Sequence, residues 1–134
     1  MATAIFVNLP VTDLDRSMEF FRALGFSFNP QFTNDQAAAL VISEAIFAML
    51  HTPESFRRFT PKQIADARAT TEVLLALQVE SRERVNELVE KALAADGREA
   101  RAPEDHGFMF GRSFEDPDGH IWEVLWMDAS QFPG

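Results

Sequence analysis

Two stretches of this chain repeat one pattern of apolar and polar positions. In the first, an apolar run at 4–11 leads to Asp13, a side chain suited to cap a helix. Leu14, Met18, Phe21 and Leu24 then recur at helical spacing, and Gly25 is a natural stop. Residues 26–32 alternate around Pro30 and predict a weaker strand. Residues 37–43 and 46–51 predict two more, joined tightly at Ser43, Glu44 and Ala45. In the second stretch, 72–80 alternate as a strand through Val73, Leu75, Leu77 and Val79. Ser81 can cap a helix whose apolar stripe is Val85, Leu88, Val89, Ala92 and Leu93, with Gly97 at its end. A weak strand at 98–102, a better one at 107–114 and the best at 121–127 follow. Leu9-Pro-Val-Thr-Asp13 answers Leu77-Gln-Val-Glu-Ser81 at a spacing of 68 residues.

Strand, helix and three strands, twice over, predict an α+β fold. Two βαβββ modules would form a cupped mixed β-sheet, each leaving one face of its strands bare for a small molecule. The 134 residues suit a single domain, with module 1 at about 1–52, a connecting segment at about 53–70 and module 2 at about 71–134. In the connecting segment Pro53 and Pro61 stand at first helical positions after Thr52 and Thr60. Short helices or an ordered loop are expected there, able to cover a pocket.

Composition narrows the function. Apolar residues make up 46% of the chain, with 13 Phe and no Tyr, so a real core can form without hydroxyls to satisfy. The absence of Cys excludes disulfides and thiolate metal sites and fits a reducing compartment. A net charge of −9 argues against nucleic acid or an anionic membrane as partner, because phosphate binding needs clustered Lys and Arg. The one basic cluster, Arg57, Arg58 and Lys62, reads as a solvated face. No secretory leader and no membrane-length apolar run is visible, so a cytoplasmic location is expected.

The most informative segment is Ser113 to Trp126. The turn Asp116-Pro-Asp-Gly119 separates two strand-like runs, and Glu123 then stands alone in an apolar strand. A buried carboxylate needs a partner, so Glu123 either faces solvent, pairs with Arg112 on the adjacent strand, or faces a ligand or cation. Trp122 and Trp126 share the opposite face and suit core packing. His106 and His120 lie in turn contexts and suit the surface.

Val11-Thr-Asp-Leu14, Ser17, Phe20-Phe21, Leu24-Gly25-Phe26 and Phe114-Glu-Asp-Pro-Asp-Gly119, within paired βαβββ units, resemble the vicinal oxygen chelate superfamily. That group includes glyoxalase I, bleomycin and fosfomycin resistance proteins and extradiol dioxygenases. The resemblance covers essentially the whole chain. It implies a homodimer and a small-molecule ligand or substrate. It also implies one divalent metal held by His, Glu or Gln from four strands, acting as Lewis acid on substrate oxygens. The four positions here are Phe6, Met49, Leu74 and Glu123. Phe and Leu cannot ligate a metal, and a thioether suits softer ions. Only Glu123 survives as a metal ligand, so the usual four-ligand site is not supported.

The candidate catalytic residues are therefore Glu123 as base, with His51 or Arg112 as oxygen stabiliser. Arg112 could equally pair with Glu123 or Glu115. Strand alternation puts His51 with Met49, and Asn8 with Phe6. Phe6, Asn8, Met49, Leu74 and Phe110 are the candidate ligand-binding residues. Two functions are expected from the resemblance. One is glyoxalase- or dioxygenase-like action on a small, partly apolar molecule, by lyase or isomerase chemistry that begins with proton abstraction. The alternative is non-catalytic binding of the bleomycin-resistance kind.

Overall fold

The computed structural model describes residues 3–131. The chain divides into two compact units at Asp66–Ala67.

In the first unit Asp13 accepts a hydrogen bond from the Arg16 amide at 3.1 Å and starts α1 (Leu14–Ala23). Gly25, at φ +102°, supplies the left-handed residue that ends it. Strands β1 (Ile5–Pro10), β2 (Ser27–Asn29), β3 (Ala37–Val41) and β4 (Ile46–His51) form one mixed sheet in the order β1-β4-β3-β2. β1 runs parallel to β4 and the other pairs are antiparallel. Leu9, Ala38, Leu40, Ala48 and Leu50 are buried with Leu14, Met18, Phe20 and Phe21 of α1. The expected strand at 26–32 is cut short. Pro30 opens a 3-10 turn over Pro30–Phe32, which Asn29 caps by accepting from the Gln31 amide at 3.0 Å. Thr52 and Pro53 start α2 (Pro53–Arg57) as expected. Thr60 and Pro61 start no second helix; the Thr60 hydroxyl only bonds the Lys62 amide at 3.1 Å.

The second unit repeats the plan. Ser81 accepts from the Arg84 amide at 3.0 Å and starts α3 (Arg82–Ala94), the cap bond spanning three residues as in α1. Strands β5 (Leu74–Gln78), β6 (Glu104–Asp105), β7 (Met109–Glu115) and β8 (Ile121–Met127) take the order β5-β8-β7-β6, with β5 parallel to β8. Val85, Leu88, Val89 and Ala92 of α3 are buried, as are Trp122, Val124 and Phe114. The Phe114 and Trp122 rings stack with centroids 6.4 Å apart.

One expectation fails here. Residues 98–102 form no strand, only an isolated bridge from Arg98 to Glu115, and the short third strand lies later, at β6. The last turn of α3 closes at Gly97, whose amide donates to the Ala92 carbonyl at 2.8 Å. Asp96 takes the left-handed position before it at φ 74°, a conformation Asp tolerates better than most side chains.

Candidate functional site

In the first unit the face of the sheet opposite α1 is set by strand register. Phe6 pairs with Phe47, Asn8 with Met49, and Pro10 with His51. These side chains therefore share one face. The Phe6 and Phe47 rings stack at 4.6 Å, only 13° from parallel, although Phe6 stays 54% exposed. Two strand positions along, a polar chain begins. Asn8 donates through Nδ2 to the Phe6 carbonyl at 3.2 Å, which leaves its Oδ1 to accept. His51 Nε2–H donates to that Oδ1 at 2.7 Å. His51 Nδ1 then accepts from the Ser55 hydroxyl at 2.9 Å. The imidazole is 4% exposed, with the Phe56 and Phe59 rings of the following segment at 6.0 and 5.3 Å.

Burial, assisted by the charge of Arg58, holds His51 below its ordinary value of 6.5. The fold thus favours the neutral ring. The unfolded chain binds the proton more readily, so this contribution to stability is complete above about pH 6.5 and lost progressively as pH falls below it. We expect His51→Gln to lose less melting temperature than the wild type between about pH 7 and pH 5. Identical slopes in thermal melts across that range would contradict this assignment.

In the second unit Glu123 lies on the face opposite α3. Its register partners are Ala76 on β5 and Ser113 on β7, while Leu74 pairs with Ile121. Leu74 therefore shares the Glu123 face and is 59% exposed. The Glu123 side chain is 15% exposed. Arg101 donates to Glu123 Oε1 and also to Glu104 Oε1 at 2.7 Å. Bonding to Glu123 raises the guanidinium above its ordinary value.

Arg112 and Phe110 do not join this face. Arg112 pairs with Val124 and Phe110 with Trp126, so both belong to the side covered by α3. The nearly buried Arg112 guanidinium reaches Glu90 at 2.9 Å, Glu99 at 3.2 Å and Asn86 Oδ1 at 3.0 Å. It pairs with neither Glu123 nor Glu115, because register places it one residue out of phase with both. Phe110 and Trp126 instead flank the Arg82 guanidinium, each ring centroid 5.2 Å away. Arg82 also grips Asp105 through a two-pronged bond at 2.8 and 2.9 Å, which holds the Asp105 carboxyl well below the usual carboxylate range.

Four partners lay outside the expected set. Phe47 had a signal: it alternates with Met49 and His51. Ser55 had a weaker one, four residues beyond His51. Arg101 and Ser113 had none, since Ser113 meets Glu123 only through strand pairing and Arg101 only through a side-chain bond from an irregular segment.

The donor set does not fit the divalent metal that the resemblance implies. Phe6 and Leu74 carry no donor atom, Met49 offers a thioether, and the Glu123 carboxylate is held by an arginine. Among the described residues no three His, Cys, Asp or Glu side chains are grouped to hold a metal ion.

Residues 4–124 match the Glyoxalase/Bleomycin resistance protein/Dioxygenase superfamily, and the chain belongs to it. The solved structure of hypothetical protein SA1046 from S. aureus is similar: TM-score 0.79, 28% identity, with 94% of each chain covered. Lactoylglutathione lyase from Agrobacterium tumefaciens shares the fold at TM-score 0.71 and 16% identity, covering 98% of each chain. Fosfomycin resistance protein FosX from Mesorhizobium loti does so at TM-score 0.70 and 12% identity, covering 98% of this chain and 97% of its own. No curated protein matches the sequence. No helix among the described residues is long and apolar enough to cross a membrane.

Proposed function

We propose that this protein binds a small, partly apolar molecule on the open faces of its sheets and leaves it chemically unchanged. The observation that carries this reading is the stacked Phe6–Phe47 pair, standing where the superfamily's metal chemistry calls for a donor. A flat, half-open aromatic platform takes apolar or aromatic surface. The exposed Asn8 amide beside it, held by the buried His51–Ser55 pair, has a second N–H to offer without a charge. None of the three catalytic candidates is presented as a free base or oxygen stabiliser. His51 has both ring nitrogens engaged, Arg112 is held under α3, and Glu123 is tied to Arg101. A homodimer and a cytoplasmic location belong to the same reading.

The second reading is lyase or isomerase chemistry begun by proton abstraction at Glu123. It is favoured by one detail: Oε2 of Glu123 carries no hydrogen bond among the described residues. One experiment separates the two. A library of small aromatic compounds is screened by native mass spectrometry, and bound compounds are recovered after long incubation. We expect recovery unchanged, and affinity about tenfold weaker in Phe6→Ala, the scale of one lost aromatic contact plus its buried area. A product formed by the wild type and not by Glu123→Gln would establish the second reading instead. Affinities indifferent to Phe6→Ala would remove the first.

A further inference from the structure

Between α3 and β7 the chain runs along the outer edge of β7. Arg98 bridges Glu115, and further on Glu104 pairs with Gly111 and Asp105 with Phe110. From Arg98 to Glu104 this strap takes six steps, while β7 takes four from Glu115 to Gly111. Two residues are therefore surplus, and the strap bulges between its anchors. Bulges at a sheet edge re-aim side chains.

The re-aimed side chain is Arg101. Glu99 turns to the α3 side, where it meets Arg112 at 3.2 Å. Regular alternation would return Arg101 to that side. It reaches past β7 on the opposite side instead, to Glu123 on β8, with Glu104 as second partner at 2.7 Å. The far end of the strap is fixed independently of this arm. Arg82 holds the Asp105 carboxylate and, at 2.8 Å, the Gly107 carbonyl. Nor is the arm sealed in, since the Arg101 side chain is 45% exposed. Two carboxylates thus converge on one guanidinium that solvent already reaches. Exposed Leu74, with Ile121 and Leu125, shares the face on which they meet.

We propose that Arg101 is an internal plug in a seat for an organic cation, and that a ligand with an ammonium or guanidinium head on an apolar body displaces it from Glu123. The plug itself shows that a guanidinium reaches this carboxylate and bonds to it. Exchanging one cation for another leaves the charge of Glu123 paired throughout. Releasing the arm costs little, because an ion pair open to solvent contributes little and the freed side chain regains its rotamers. The apolar body of the ligand then covers Leu74 and its neighbours. A carboxylate ligand would be repelled by Glu123 and Glu104, and a neutral one brings nothing to replace the cation it removes. This rests on the reading of the open faces as ligand surfaces and names the ligand class for the second of them.

The test titrates benzylamine, and benzyl alcohol as its uncharged counterpart, into the full chain, followed by the amide resonances of 74–76 and 121–125. Arg101→Ala is expected to bind benzylamine about fivefold more tightly than the wild type, the scale of one exposed ion pair that no longer competes. Benzyl alcohol should gain less than about twofold, since it leaves that ion pair's contribution untouched. Adding Glu123→Gln to Arg101→Ala should cancel the benzylamine gain. In the wild type, benzylamine should move the Arg101 Nε–H resonance toward that of a solvated arginine, a reading that needs no variant.

A benzylamine affinity unchanged or weakened in Arg101→Ala would overturn the proposal. So would an equal gain for both probes, which would make the arm a mere cover, or an Arg101 Nε–H resonance that stays fixed while the amides shift. If neither probe moves these amides in either protein, the second sheet leaves the broader binding reading as well. The Phe6→Ala measurement above concerns the other unit, so that reading stands or falls there separately.

Discussion

Gly119→Ala is expected to be the most damaging single substitution in the chain, costing about 2–5 kcal/mol. Two effects add. Gly119 sits at φ +90°, where a side chain collides with its own backbone at about 1–2 kcal/mol. A Cβ there would also lie 2.9 Å from the Ala67 carbonyl oxygen and 2.9 Å from Arg68 N and Cα. Those neighbours are backbone and cannot swing aside. Gly25→Ala is the control: its φ is +102°, but nothing lies within 4 Å of the added carbon. Thermal denaturation of the two variants should therefore separate strain from collision. A Gly119→Ala melting point no lower than that of Gly25→Ala would show that residues 67–68 yield freely.

The same turn supplies the second large effect. Asp116 is buried, and its carboxylate closes the turn from within. Oδ1 accepts from the amides of Asp118 at 3.0 Å and His120 at 3.1 Å, and Oδ2 accepts from Trp122 Nε1 at 3.1 Å. Asp116→Ala strands three donors, each worth about 1–3 kcal/mol when left unpaired in the interior. Burial also pushes the Asp116 carboxyl above its ordinary range, so removing it relieves some desolvation. The net cost is expected to be about 3 kcal/mol. Asp116→Asn should fall between. Its oxygen can still accept from both amides, but its NH₂ then faces the Trp122 N–H, donor against donor. Chemical denaturation of the three proteins should rank them wild type, Asn, Ala. Equal losses for Asn and Ala would mean that the indole bond contributes the whole effect.

Much of this was legible because it is local. Asp13 and Ser81 announce their helices through a cap bond spanning three residues, and the Asp-Pro-Asp-Gly turn declares itself within four. Strand parity alone put Glu123 opposite Trp122 and Trp126, and Asn8 with Phe6. Parity could not decide the face of Arg112 or Phe110 relative to Glu123, because that depends on how β7 and β8 are offset. The pairing of Arg112 with Val124 settles it, and both side chains turn toward α3. The partners of Glu123 were hidden for a related reason. Arg101 lies 22 residues away in a segment without regular structure, and it meets Glu123 only after the sheet has formed. Residues 26–32 misled because alternating Phe residues outweighed a proline that the backbone could accommodate only by turning.

The placing of the aromatic residues also makes the two units optically distinct. The chain has two Trp and no Tyr, and both indoles belong to the second unit, on the strand beneath α3. Trp122 is sealed in the core, while Trp126 lies against a guanidinium. Intrinsic fluorescence therefore reports on one half of the molecule alone. The half that carries the Phe6–Phe47 platform is silent above about 290 nm, since Phe does not absorb there. Circular dichroism of the backbone sees both. Melting curves recorded by the two probes would coincide only if the halves unfold as one cooperative body. A tyrosine or tryptophan introduced at the exposed Phe6 position would give the dark half a signal of its own.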